Sequence, residues 1–161
     1  MTRAKEDDLY LLCRIGSRIG ALAVGDVRET MRPLPIEPLT GTPVFVLGVA
    51  IVRGFAAPVI DAARLLDPST LPVAITSPSA ARFVSLKLGD RTAVLAVDAV
   101  LEVSSLEAGI LARIPPLLCK TEQEPISSIG ALDAQLLLVL EAARLVPDSV
   151  WSEIKTAGAS A

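Results

Sequence analysis

Two stretches of this chain carry nearly the same message. Ile15 to Glu29, IGSRIGALAVGDVRE, aligns without a gap on Leu88 to Glu102, LGDRTAVLAVDAVLE, seventy-three positions later. Seven of fifteen places are identical: Gly16/Gly89, Arg18/Arg91, Leu22/Leu95, Ala23/Ala96, Val24/Val97, Val27/Val100 and Glu29/Glu102. Agreement so far above that of two arbitrary windows marks an internal repeat. A second correspondence, VIDAARLL (Val59 to Leu66) with VLEAARLV (Val139 to Val146), keeps the order at an offset of eighty. Each half therefore reads as strand, glycine turn, strand, and later an apolar strand running into an AARL turn or short helix. In a chain of 161 residues, repeats of roughly 60 residues bury too little surface to be more than marginal alone. The halves are expected to depend on each other.

The strands are read from alternation in LYLLCRI and RFVSLKL, cleaner at Val84, Leu86 and Leu88 than around Leu12. Gly16-Ser17 and Gly89-Asp90 are natural hairpin connections, since glycine tolerates unusual dihedrals and aspartate bonds to nearby backbone. FVLGVAIV and LLLVL add core strands, whereas PLPIEPLTGTP and LDPSTLP interrupt pairing and mark connections. A third connector, Ser105 to Ile129, holds Pro115, Pro116 and Pro125, with room for a short helix within Leu106 to Ile114. Many short apolar strands with glycine turns favour an all-β architecture over a doubly wound one, which needs longer crossover helices. Two small barrels packed together are the expectation, because closure removes exposed edges. After Pro147, DSVWSEIKTAGASA reads as one weak helical turn around Trp151 and a mobile tail.

Several chemistries are excluded or disfavoured by composition. There is no histidine among the 161 residues, so histidine triads are impossible and the commonest nitrogen ligand for transition metals is missing. Cys13 and Cys119 are too few for a zinc cage, and two cysteines in an apolar chain fit buried thiols of a reducing compartment. Fifteen basic against eighteen acidic residues give a net charge of -3, which disfavours nucleic acid and anionic lipid as partners. The opening MTRAKEDDLYLLC lacks the apolar run and cleavage site of a signal peptide, which makes the cytoplasm the expected compartment. Direct membrane insertion is not expected either: the apolar PVFVLGVAIVRGFAAPVI is interrupted by Arg53 and carries Pro58.

Catalytic candidates fare no better. No Gly-rich run precedes the lysine and hydroxyl of a phosphate loop. Ser17 sits in G-S-R-I-G rather than the nucleophile elbow, with no histidine to activate it, and Ser152 and Lys155 form S-E-I-K in a terminal segment. Asp61, Asp98, Glu102 and Glu141 lie in apolar contexts, but their repeated positions suggest caps and salt bridges rather than acid-base work or hard-cation binding. No enzyme, metal site or cofactor is expected.

Arg53 stands out, since AIVRGF sets a permanent cation in a strongly apolar segment. Either its stem covers the edge of the core while its charge meets solvent or a structural carboxylate, or it contacts a partner. Glu29 is a plausible complement. Val27, Thr30 and Met31 around it offer apolar contact while Arg28 and Arg32 offer charge, a mixture suited to adhesion or to a plain solvent face.

Taken in order, YLLCRIGSRIGALAVGDVRE, PVFVLGVAIVRGFAAPVIDAARLL, RFVSLKLGDRTAVLAVDAVLEV and GALDAQLLLVLEAARLV resemble the CheW-like chemotaxis coupling-protein family over roughly Leu9 to Pro147. The resemblance implies two packed five-stranded β-barrels with short peripheral helices. They would form one domain over residues 9–147, with subdomains near 9–66 and 82–147 between which strands can be exchanged, and a tail over 148–161. It also implies a noncatalytic adaptor joining a chemoreceptor's cytoplasmic tip to a chemotaxis histidine kinase, at membrane-associated receptor arrays. Val27 and Glu29 match the family's V-x-E contact positions; Gly48, Arg53 and Gly54 match its G-V-x-N-L-R-G segment. These five are the implied protein-binding residues. The chain departs from the pattern at Ile51, where asparagine is usual, and at Val52, where leucine is usual. Two other functions are carried beside coupling: a divergent module of the same kind regulating another signalling assembly, and a small-ligand sensor.

Overall fold

A computed structural model describes residues 9–69, 81–106, 112–113, 125–132 and 135–159. The first repeat supplies β1 (Leu9–Ile15), β2 (Arg18–Ala23), β3 (Val27–Met31), β4 (Val46–Val52), β5 (Phe55–Asp61) and α1 (Ala62–Leu66). The second supplies β6 (Arg82–Leu88), β7 (Arg91–Val97), β8 (Ala99–Ser105), β9 (Ala112–Arg113), β10 (Ile126–Leu132) and β11 (Gln135–Leu140), followed by α2 (Asp148–Ala159). The repeat seen in the sequence is repeated in the backbone pairing. β3 shifts register against β6 between Val27 and Glu29, and β8 shifts against β1 between Cys13 and Leu12, which face Val100 and Glu102. The bulge of β4 against β5 between Val46 and Gly48 recurs in β10 against β11 between Ile126 and Ser128. Even a cap bond is duplicated: the Asp61 N–H donates to Phe45 O at 2.7 Å, and the Glu141 N–H to Pro125 O at 2.6 Å.

Neither repeat makes a sheet of its own. The β1–β2 hairpin sits in a sheet ordered β8-β1-β2-β11-β10-β9, and the β6–β7 hairpin in one ordered β3-β6-β7-β5-β4. Two parallel pairings, β11 on β2 and β5 on β7, join each hairpin to strands of the other repeat. This arrangement buries the central strands on both faces. In β7, Ala93, Leu95 and Val97 enter the core shared by the two sheets, while Val94 and Ala96 enter a second cluster inside one lobe with Ala50, Val59 and Phe83. In β1, Leu11, Cys13 and Ile15 join the shared core, and Leu12 joins a third cluster with Ile19, Ala21 and Leu137. Leu12 thus blurs the alternation because both sides of its strand are interior. Cys13 is a free, buried thiol, pushed up to about 12 by burial; Cys119 lies outside the described residues.

The expected pair of five-stranded barrels is not what the chain builds. Both sheets are open and mixed, with five main strands each and the two-residue β9 added to one. Among the described residues no backbone pairing joins β3 to β4, the edges of the five-stranded sheet. β3 ends at Met31, before Pro33 and Pro35, which have no N–H to give. The edge of β4 is instead taken by Glu37, whose backbone exchanges two 2.8 Å hydrogen bonds with Val49. Closure was expected from the edge problem; here a connecting segment covers the edge instead.

Three further segments bear on local expectations. PVFVLGVAIVRGFAAPVI forms the β4–β5 hairpin, and among the described residues no helix is long and apolar enough to cross a membrane. The helix expected within Leu106 to Ile114 falls mostly outside the described residues, which include only buried Leu106 and the short β9 there. The C-terminal segment is not a single weak turn but the twelve-residue α2. It is held because Val150 is fully buried in the shared core, with Trp151 and Ile154 packed against it. Truncating Val150 to alanine is expected to cost roughly 2 kcal/mol, the size of a lost buried branched side chain with partial collapse. Urea denaturation would show this as a lower midpoint at unchanged slope; an unmoved midpoint would mean that α2 contributes nothing to the core.

Candidate protein-binding surface

The four acids considered for catalysis divide into structural and solvent positions. Asp61 is buried at the start of α1, where its Oδ1 accepts from the Arg64 N–H at 3.1 Å. Asp98 is buried between β7 and β8, and its Oδ2 accepts from the Gly16 N–H at 2.6 Å, tying down the β1–β2 turn. Glu102 lies exposed on β8, and Glu141 caps the end of β11 through its backbone. Ser17 is exposed in the β1–β2 turn, and the Ser152 hydroxyl donates to the Asp148 carbonyl at 3.2 Å within α2. Among the described residues no group of three or more Cys, Asp or Glu side chains is placed to hold a metal ion.

Arg53 and Glu29 do meet. Arg53 Nε donates to Glu29 Oε1 at 2.8 Å and Arg53 Nη2 to Oε2 at 2.7 Å, a two-bond fork across the gap between β4 and β3. The cation stands at the β4–β5 tip, its charge meeting solvent and a carboxylate, with 73% of its side chain exposed against 32% for Glu29. The tip is a two-residue turn in which Val52 faces Phe55, and both central residues have positive φ, 50° at Arg53 and 84° at Gly54. That is the pattern of a type I′ hairpin. Gly54 fits without penalty, whereas Arg53 is the only non-glycine residue at positive φ among those described. A side chain in that region is disfavoured, so the fork and the turn constrain each other.

Val27 and Gly48 are near the pair but act differently. Val27 is half-buried on β3 opposite Leu86 and packs against the shared core. Gly48 has φ 144°, and a Cβ there would strike the Glu37 carbonyl, 2.7 Å from its carbon and 2.8 Å from Ile36 Cγ2. The segment covering β4 therefore needs a glycine beneath it. Ile51 is 64% exposed, so the residue in place of the family's asparagine presents apolar surface outward rather than filling the interior. Phe55, 73% exposed, was not singled out by sequence reasoning. The signal that would have found it is the second repeat, which at the eighty-residue offset carries Ala131, Asp133 and Gln135 for Ile51, Arg53 and Phe55. The scaffold does not require apolar or cationic residues at this tip.

Comparison with known proteins decides the family. The model of the CheW-like domain matches residues 9–150. The chain belongs to this family. It is thereby a noncatalytic adaptor of chemotaxis signalling. A probable chemotaxis protein CheW of Rhizobium etli is 28% identical over 133 residues, 80% of each chain. The chemotaxis protein CheW of Klebsiella aerogenes is 23% identical over 137 residues, 85% of this chain and 80% of that one. The crystal structure of the scaffolding protein TtCheW from Thermoanaerobacter tengcongensis superposes with a TM-score of 0.72 at 20% identity, covering 88% of both chains, and so shares the fold.

Two predictions follow from this geometry. The Arg53 hydrogen bond holds the Glu29 carboxyl below its ordinary range. A carboxyl depressed on folding adds stability above the unfolded group's titration and loses it as pH falls through the folded one. Carbon-detected NMR should therefore show Glu29 titrating below ordinary glutamates, and rising in Arg53→Ala; a midpoint indifferent to that change would contradict the fork. Gly48→Ala should lose about 2 kcal/mol or more from forced backbone movement, measured by urea denaturation, and stability equal to the parent would show that the covering segment is not so close.

Proposed function

We propose that this chain couples a chemoreceptor's cytoplasmic tip to a chemotaxis histidine kinase, and that the β4–β5 tip with β3 is one of its contact surfaces. The observation that supports this most is the forked Arg53–Glu29 pair on an exposed rim beside Ile51. A guanidinium so oriented can keep its carboxylate or exchange it for one on a partner, and arginine beside an apolar residue is the composition of interface anchors. Val27, Gly48 and Gly54 belong to the surface through the backbone shape they give it. Coupling is mass-action assembly: the adaptor biases the kinase only if its contacts differ between the kinase's active and inactive arrangements. A position beside membrane-associated receptor arrays would follow from the receptor contact.

Reconstitution with a receptor fragment and the kinase tests this, with affinities and kinase activity measured separately. Arg53→Ala should weaken at least one partner by about tenfold while circular dichroism stays native, the loss expected of one interface anchor. Unchanged affinity for both partners would exclude this surface. Ile51 supports a second reading, a module of the same family serving another signalling assembly, since apolar surface replaces an amide there. Failure to bind a receptor tip or kinase alongside specific recovery of a different signalling protein would favour it.

A further inference from the structure

Ser85 stands on β6 directly opposite Glu29 on β3. Its neighbours in the strand, Val84 and Leu86, enter the shared core, so its own side chain turns to the other face, the interior of the lobe with Phe83 and Val94. It is fully buried, and among the described residues its hydroxyl has no hydrogen-bond partner. A buried hydroxyl left unpaired is costlier than an apolar side chain of the same shape. A row of paired residues runs across this lobe: Glu29, Ser85, Val94, Val59 and Gly48. The second repeat builds the same row from Glu102, Leu12, Ala21, Val139 and Ser128. There the glutamate faces a leucine, and the position at the offset of Arg53 is Asp133. The lobe that sets an arginine against its glutamate is also the one that sets a hydroxyl beside it; its twin does neither.

We infer that the Ser85 hydroxyl is a second seat for the Glu29 carboxylate, occupied when a partner's carboxylate takes Arg53. Directly opposite residues of an antiparallel pair share a face and hold their Cβ atoms roughly 5 Å apart, within reach of a glutamate side chain. In the fork both Glu29 oxygens are engaged by Arg53. Once the guanidinium turns outward, they would be left beside the partner's own carboxylate, a like-charge contact that opposes binding. Turned inward, one oxygen accepts from Ser85 Oγ while the other stays at the gap between β3 and β4, which no backbone pairing closes among the described residues. The orphaned donor gains its acceptor in the same step, and a hydrogen bond to a charged oxygen is stronger than one between neutral groups. The fork is then the resting arrangement and the inward carboxylate the bound one. This inference rests on reading the rim as a contact surface, and adds how that surface gives up its internal ion pair.

Removing the arginine tests the seat without any partner. Carbon-detected NMR would follow the Glu29 carboxyl in the full-length chain with and without the Ser85 hydroxyl, keeping Arg28, whose charge also acts on this carboxyl, in every variant. A hydroxyl that donates to a carboxylate holds its titration down. Ser85→Ala alone should leave the Glu29 midpoint where the fork puts it, and in the Arg53→Ala background should raise it further. One midpoint shared by Arg53→Ala and the double variant would overturn the seat. Ser85→Ala should also weaken the partner that Arg53→Ala weakens, by about fivefold for one hydrogen bond missing from the bound form, with a urea midpoint no lower than the parent's. Parental affinity for that partner would show that the carboxylate does not turn inward on binding. If Arg53→Ala weakens no partner, the contact reading fails and the exchange falls with it, whereas a midpoint raised in the double variant would still establish the seat.

Discussion

The structure rests on two parallel strand pairings, β11 on β2 and β5 on β7, each of which inserts a hairpin of one repeat into the sheet of the other. The register is equivalent in the two: Val59 faces Val94 as Val139 faces Ala21, and Ile60 faces Leu95 as Leu140 faces Leu22. These strands are among those buried on both faces, and their even and odd residues feed different cores. Burying a valine or leucine contributes about 1.5–3 kcal/mol, and each repeat realises that gain only when the other supplies the opposite wall. Removing one hairpin would therefore cut into the shared core and one lobe together.

A scaffold so tightly specified leaves its hairpin tips unconstrained, and there the repeats diverge. Glu29 and Glu102 occupy equivalent places, but only the first has an arginine set opposite it by offset; the second repeat carries Asp133. Ser85 shows the same freedom inside: it is fully buried with no hydrogen-bond partner for its hydroxyl, where the twin position packs Leu12. Duplication thus separates what the fold needs from what one half carries for itself. The proposed contact surface lies in the second category: a cation held in a disfavoured backbone region and an aromatic residue exposed beside it.

Much of the fold was legible because it is local. The Gly16 and Gly89 turns have φ of 62° and 66°, and the strands flanking them run where apolar periodicity placed them. What was not legible depended on distance. Whether an edge closes or is covered depends on Glu37 reaching Val49, which no pattern in PLPIEPLTGTP announces. α2 was undervalued because its sequence ends in small residues, whereas its docking is decided by Val150, with Trp151 and Ile154, reaching a core built from other elements. At the surface, Arg53 and Glu29 were brought together by charge, and the turn carries Arg53 outward so that its cation meets both solvent and that carboxylate. Ile51 read as core, and Phe55 drew no notice, because strand residues and tip residues share one apolar vocabulary.

Separating the repeats tests most directly the claim that neither half has a complete core. Fragments 1–80 and 81–161 would be produced apart, then mixed, and followed by amide proton NMR dispersion and urea denaturation. Each fragment alone should give collapsed spectra without a cooperative transition, and mixing should recover the dispersed spectrum of the intact chain. A fragment that is dispersed and unfolds cooperatively as a monomer, without its counterpart, would contradict mutual completion.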